Sequence, residues 1–444
     1  MIAIGGLEYS LFISLGIAIF VFITLELIDG FGKRIPIREL MSFIVFLQLF
    51  ISPLITYDYF NNEAVFRMYV EKELYMWFIL PALCAFCLGL FINAKQSNNE
   101  PLLQNLHFGQ KNQHLGFIFI VSGIFFYVFR SVVPPTLFFI FHLGGLLRFV
   151  GAFILLFSDN RYRYFWILLV FGEFSLSIVR GGVFYDLFVW FGFLFMFLEL
   201  RWQSSFGKKM VYFIMGFAIV YLIQIVKSEY RAVIWDDTTT IQRDREEVFL
   251  DVATQKLDER AAFTESSNLD NFVSRLNIGW VVSKVMEHTP LREPFANGEL
   301  LKKDIKNVLL PRFLFPNKAS TGGKQNQEKF RRFTGIKLVK ETTMRIGAFG
   351  DAYVNFGVVG GWICMFCLGL LFNLTLKWFL NSARKDKTLL LWIPLVFSYA
   401  IRMSDIQVIL NFTFKAFLFF ILIRFVIRQF GFGSLETNTV NKVE

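Results

Sequence analysis

The chain has 444 residues, of which 55% are hydrophobic and 18% charged, and 58 are phenylalanine. Ordinary soluble domains carry about 25% charged residues, so this composition, with a mean hydropathy of +0.51, excludes a soluble enzyme, a disordered chain and a coiled coil. The formal net charge of +10 does not call for nucleic acid, because surplus Lys and Arg in a membrane protein collect in cytoplasmic loops.

An apolar run of about 20 residues crosses the hydrocarbon core as a helix. By that measure about eleven crossings follow one another, at 9–29, 40–59, 74–93, 115–133, 134–157, 164–179, 182–200, 209–226, 352–376, 388–410 and 412–431. Pro134, Pro135, Gly181 and Gly182 are the breaks that separate the fourth to seventh. The sequence thus predicts an all-α polytopic integral membrane protein. A transmembrane bundle spans 1–226, a long outer connection 227–351, and the last crossings with a short tail 352–444.

The first crossing has no basic residue before it and no small-residue cleavage site, so it reads as an anchor rather than a cleaved signal. Lys33, Arg34 and Arg38 follow it and place the amino terminus outside. Alternation from there puts Lys95 and Lys111, Arg161 and Arg163, Lys208 and Lys209, and Arg384, Lys385 and Lys387 inside, with the carboxy terminus. The outer turns carry fewer cations, among them Arg130, Arg180 and Arg402.

Within the long connection, residues 268–287 predict one amphipathic helix behind Ser267 as N-cap and stopped by Pro290. Residues 299–310 predict a second, with Lys302, Lys303 and Lys306 opposite an apolar side, a pattern suited to lying on a membrane surface. Ser320 to Gly323 read as a flexible tip, with Lys324 and Lys329 beside it expected to be mobile. From 302 to 345 twelve basic side chains face three acidic ones. Two readings stand: a solvated face, or a cradle for an anionic substrate at the outer surface.

Ionisable residues inside crossings are expensive and face the bundle interior. Glu173, Ser177 and Arg180 share one face of the sixth crossing, and Ser398, Arg402 and Asp405 repeat the spacing on the tenth. Arg130 and Asp186 fall at similar depth. A structural salt-bridge network and a cavity open to the outer side both fit. The pairs Cys84 with Cys87 and Cys364 with Cys367 lie mid-crossing with no histidine near, which suits helix packing and no metal. No Gly-rich phosphate loop precedes a helix, which leaves no case for an ATPase.

The segment Thr343 to Gly361, TMRIGAFGDAYVNFGVVGG, resembles the signature of bacterial O-antigen polymerases, the Wzy-type oligosaccharide repeat-unit polymerases. In that signature an acidic residue, an aromatic, an Asn, a Phe and paired glycines open a transmembrane helix after the large periplasmic loop. Leu310 to Lys318, LPRFLFPNK, is similar to a stretch of the same loop. Asp351 stands where Glu is commoner in that signature.

The resemblance implies a GT-C-like membrane glycosyltransferase of the bacterial inner membrane. It would need no cofactor and no metal, and would join undecaprenyl-diphosphate-linked oligosaccharides, with a chain-length regulator and a flippase as partners. Arg180, Arg231, Arg312, Lys318 and Arg402 are then candidates to hold the diphosphate, and Arg345 to stabilise developing charge. Glu341, Asp351 and His288 are the candidate bases. The rivals are an O-antigen ligase of similar donor chemistry and, from another class, a lipid-linked sugar flippase. The latter more often shows internal repeats and broken helices, and the sequence shows neither. A membrane protease of the exosortase kind would need an outward Cys and His.

Overall fold

The computed structural model describes residues 2–60, 66–94, 103, 106–181, 184–234, 244–258, 266–309, 323–338, 342 and 344–429. Every extended element among them is helical. In chain order they are α1 (Ile2–Gly30), α2 (Ile37–Phe46), α3 (Ser52–Ile55), α4 (Lys72–Phe91), α5 (Gln110–Phe129) and α6 (Phe138–Gly145). Next come α7 (Leu147–Leu156), α8 (Arg163–Gly181), α9 (Tyr185–Trp202), α10 (Phe206–Ile234), α11 (Arg245–Asp258) and α12 (Ser266–Leu276). The last are α13 (Gly279–His288), α14 (Glu299–Leu309), α15 (Gly323–Thr334), α16 (Gly347–Ser382), α17 (Ile393–Phe397) and α18 (Ile406–Gln429).

Among the described residues, nine helices are long and apolar enough to cross a membrane. Two of the expected crossings are not among them. The seventh coincides with α9, where Asp186, Glu199 and Arg201 dilute the apolar run. The tenth is not one helix: a 3-10 segment, Lys387–Trp392, leads into the short α17, and 398–405 is turn and coil. Asp386 caps the 3-10 start by accepting from the Thr388 N–H, and Met403 adopts a positive φ of 44°. Ser398, Arg402 and Asp405 therefore do not form one helical face, a correction to the periodicity reading.

Small residues set how closely the helices approach. A side chain at Gly89 would meet the backbone of α16, and one at Gly369 the backbone of α4, so these helices lie against each other as small residues in membrane helices allow. Cys84 and Cys364, partly buried, join the apolar surface of this bundle, and all four cysteines are free. Gly123 lies against the backbone of Arg148, which brings α5 onto α7.

The long connection departs from expectation in three places. The predicted helix 268–287 is two helices, because buried Asn277 ends α12 and its Oδ1 accepts from the Trp280 N–H to start α13. Instead of lying free on a surface, α14 packs against α18 and α16. Gly323, expected in a flexible tip, opens α15, which rests on α13. The boundaries shift as well: α10 continues to Ile234, and α16 begins at Gly347.

The ninth crossing is broken, contrary to the sequence reading. Gly357 has φ 68° and ψ −156° inside α16, a region essentially confined to glycine. The break frees carbonyls that an unbroken helix would satisfy. Val354 O accepts from the Ala296 N–H (2.9 Å) and Asn355 O from the Gly298 N–H (3.1 Å). Asn355 Oδ1 accepts from the Leu301 N–H at the start of α14 (3.2 Å). The signature residues thereby tie the long connection to the bundle.

Candidate functional site

The ends of α5, α8 and α10, and the starts of α4, α6, α9, α16 and α18, share the end of the bundle that carries the long connection. At that end a cavity of about 210 Å³ opens among α5, α6, α7, α8, α9 and the turn at 398–402. Arg130, Arg148 and Arg402 line it, with His142, Asp186, Tyr127, Ser177 and Tyr399.

Each arginine lies over an aromatic ring and lines the cavity. The Arg148 guanidinium stands 4.1 Å from the centre of the Tyr127 ring and that of Arg402 4.0 Å from Tyr399. Arg130 lies between Tyr127 (5.1 Å) and Phe138 (5.7 Å). A cation over a ring keeps its in-plane N–H groups free for other partners. Tyr127 is itself fixed by a hydrogen bond to Ser177, and Tyr399 by stacking on Phe412 at 3.8 Å.

Charge compensation is incomplete. Arg402 pairs with Asp186. Arg148 Nη1 lies 3.0 Å from Glu173 Oε2, close enough for an ion pair but without hydrogen-bond geometry. Arg130 has no carboxylate partner among the described residues. Arg148 Nε, Arg402 Nε and His142 Nε2 are buried and make no hydrogen bond. Leaving such nitrogens unpaired is costly, and three guanidinium groups stand here against two carboxylates.

A second charged cluster sits beside the signature. Lys329 of α15 pairs with Asp351 of α16 and lies 3.4 Å from Asp405 Oδ2. Asp405 Oδ1 accepts from the Gly347 N–H and Asp351 Oδ2 from the Ile406 N–H, each at 2.9 Å. These carboxylates thus cap the starts of α16 and α18 while holding α15. Burial lowers the Lys329 pKa, but the charges of Asp351 and Asp405 outweigh it and hold the ammonium above its ordinary value. Burial pushes nearby Asp304 up. Lys329, expected to be mobile, is a buried anchor.

The sequence-derived candidates separate accordingly. Arg402 lines the cavity, and exposed Arg345 acts electrostatically on its Tyr399 wall. Arg180 turns away to pair with Glu246 of α11, while its carbonyl accepts from Arg245 Nη1 (2.9 Å). Its hydrogen bond holds Glu246 below the ordinary carboxylate range. The expected pairing of Arg180 with Arg402 around one diphosphate is therefore corrected. Arg231 lies on α10 within the field of Arg275, away from the cavity lining. His288 ends α13, its Nδ1 buried without a hydrogen bond, and is likewise outside the lining. Asp351 is buried in the anchor with Lys329 and is not part of the cavity lining. Arg312, Lys318 and Glu341 lie outside the described residues. No cluster of three or more metal-ligating side chains occurs among the described residues.

Arg148 and His142 escaped the sequence reading. Arg148 alone in an otherwise apolar helix was the available signal, since intramembrane arginine marks function or a partner. Together the spanning helices and this polar chamber define a helical polytopic membrane protein with an arginine-lined cavity at one end of its bundle. The chain belongs to a family described as a domain of unknown function, DUF8712, whose model matches residues 49–430. No curated protein and no solved structure matches it.

Proposed function

We propose that this protein polymerises lipid-linked oligosaccharide repeat units at the outer face of a bacterial inner membrane, by metal-independent glycosyl transfer from undecaprenyl diphosphate. The observation that carries the reading is the cavity on which Arg130, Arg148 and Arg402 converge, with Arg148 Nε and Arg402 Nε making no hydrogen bond and Arg130 without a carboxylate partner among the described residues. A leaving diphosphate gathers charge as the glycosidic bond breaks, and preorganised guanidinium groups neutralise it without a metal. The size supports the same chemistry. Pockets that enclose a whole ligand measure about 300–1,000 Å³, whereas about 210 Å³ suits a headgroup whose lipid and glycan extend outside.

The break at Gly357 favours a second reading, a lipid-linked sugar flippase, because transporters use interrupted helices to bind ions and substrates. Its weight is reduced by where the freed carbonyls go: Ala296 and Gly298 occupy them, so they are not offered to an ion. Deletion of the gene tests the readings. Single repeat units on the lipid carrier at the outer face support the polymerase. Unattached long polymer supports a ligase, and a build-up at the cytoplasmic face supports a flippase.

A further inference from the structure

Transfer to a sugar hydroxyl needs a base; of the three carried by the sequence reading, Asp351 and His288 are not part of the cavity lining, and Glu341 lies outside the described residues. We infer that Asp186 is the general base, and that the donor's diphosphate releases it for the task; this rests on the polymerase reading. Asp186 is the carboxylate that lines the cavity, and its side chain is 30% exposed. Its Oδ1 is held by Arg402, while Oδ2 has no hydrogen bond among the described residues. Glu173, the other carboxylate nearby, faces Arg148 and is not part of the lining. His142 also lines it, but its ring packs against Phe138, Phe139, Tyr399 and Phe412 and, among the described residues, is paired with no arginine that a diphosphate would engage.

The Arg402–Asp186 pair supplies an order of events. An empty site keeps the carboxylate bound to the guanidinium. A diphosphate that engages Arg402 competes for the same N–H groups and loosens Asp186 toward the acceptor. The acceptor hydroxyl then gives its proton to Asp186 Oδ2 as its oxygen forms the new bond to the donor's anomeric carbon. The bond from that carbon to the diphosphate breaks, and its electron pair leaves on the lipid diphosphate, where Arg130, Arg148 and Arg402 take up the charge. Asp186 passes the proton to water, which restores the pair with Arg402.

The test uses membranes containing the full chain, supplied with lipid-linked repeat units extracted from the deletion strain, with undecaprenyl diphosphate as the binding probe. Asp186→Asn should lower kcat by about 10²–10⁴-fold with binding of the probe retained or tightened, because the carboxylate that competes for Arg402 is gone, while Asp186→Glu restores part of the rate. Arg180→Ala, outside the cavity lining, should retain most of the activity. Wild-type kcat in Asp186→Asn, or loss of probe binding together with activity, overturns the assignment while leaving the polymerase reading intact. An Arg180→Ala variant that alone reproduces the kcat loss does the same. If the wild-type membranes do not extend the extracted units, the polymerase reading fails and the role of Asp186 fails with it.

Discussion

Lys329 and Asp351 form a buried ion pair that joins the long connection to the first turns of the broken helix. The pair matters for more than local stability, because Asp351 and Asp405 also cap α16 and α18, and Asp405 lies three residues from Arg402 of the cavity. Removing one partner of a buried pair leaves an uncompensated charge at a cost of about 3–5 kcal/mol. Lys329→Ala should therefore lower the unfolding temperature in detergent sharply. Lys329→Met combined with Asp351→Asn and Asp405→Asn should recover much of the loss. Equal melting of Lys329→Ala and wild type would show that α15 is not anchored there.

The same pair fixes a pH dependence. The Lys329 pKa is raised above its ordinary 10.5, so its contribution to stability is fully present below that value and is lost only as pH rises through the higher folded value. Protease cleavage within α15 should increase in strong alkali, as the ammonium is lost. Cleavage that stays level from about pH 9 into strong alkali would contradict this.

At Gly357 the backbone conformation is one that a side chain strains by about 1–3 kcal/mol, and Phe295 lies 3.5 Å from where a Cβ would stand. Gly357→Ala should destabilise the protein by that amount and loosen the 296–301 segment that hydrogen-bonds to the break. Hydrogen exchange at the Ala296 and Gly298 amides reports it, and unchanged protection would mean that the break does not hold the segment.

Orientation is checked by labelling. In a chain whose four cysteines are replaced, cysteine at exposed Lys303 should react with an impermeant thiol reagent in spheroplasts, and cysteine at exposed Lys385 should not. Labelling at Lys385 alone would invert the topology.

Much of the helical layout was legible because hydrophobic length is a strong local signal: α1, α4, α5, α8, α10 and α18 overlap the expected crossings. The departures lie where tertiary partners overrode local pattern. At 398–405 the periodicity suggested a helical face, but Asp405 instead bonds to Gly347 and Lys329. Glu173 and Ser177 did lie on one face leading to the cavity, whereas Arg180, one turn further, was drawn out by Glu246 across 66 residues of sequence. Lys329 looked like one of many loop cations, because nothing in its neighbourhood of sequence announces two buried carboxylates, one on α16 and one just before α18. Arg148 and Arg130 meet only because Gly123 allows α5 against α7, a relationship without a sequence spacing.

Binding of undecaprenyl diphosphate to the purified protein in lipid nanodiscs tests the central claim most directly. Arg130, the cavity arginine without a carboxylate partner, should contribute most visibly. Loss of one hydrogen-bonded charge contact of about 1.5–3 kcal/mol predicts that Arg130→Ala weakens binding by roughly 10- to 150-fold. Arg180→Ala, outside the cavity, should bind like wild type. Equal affinity of wild type and Arg130→Ala, or weakening by Arg180→Ala alone, would contradict the assignment of the three-arginine cavity as the diphosphate site.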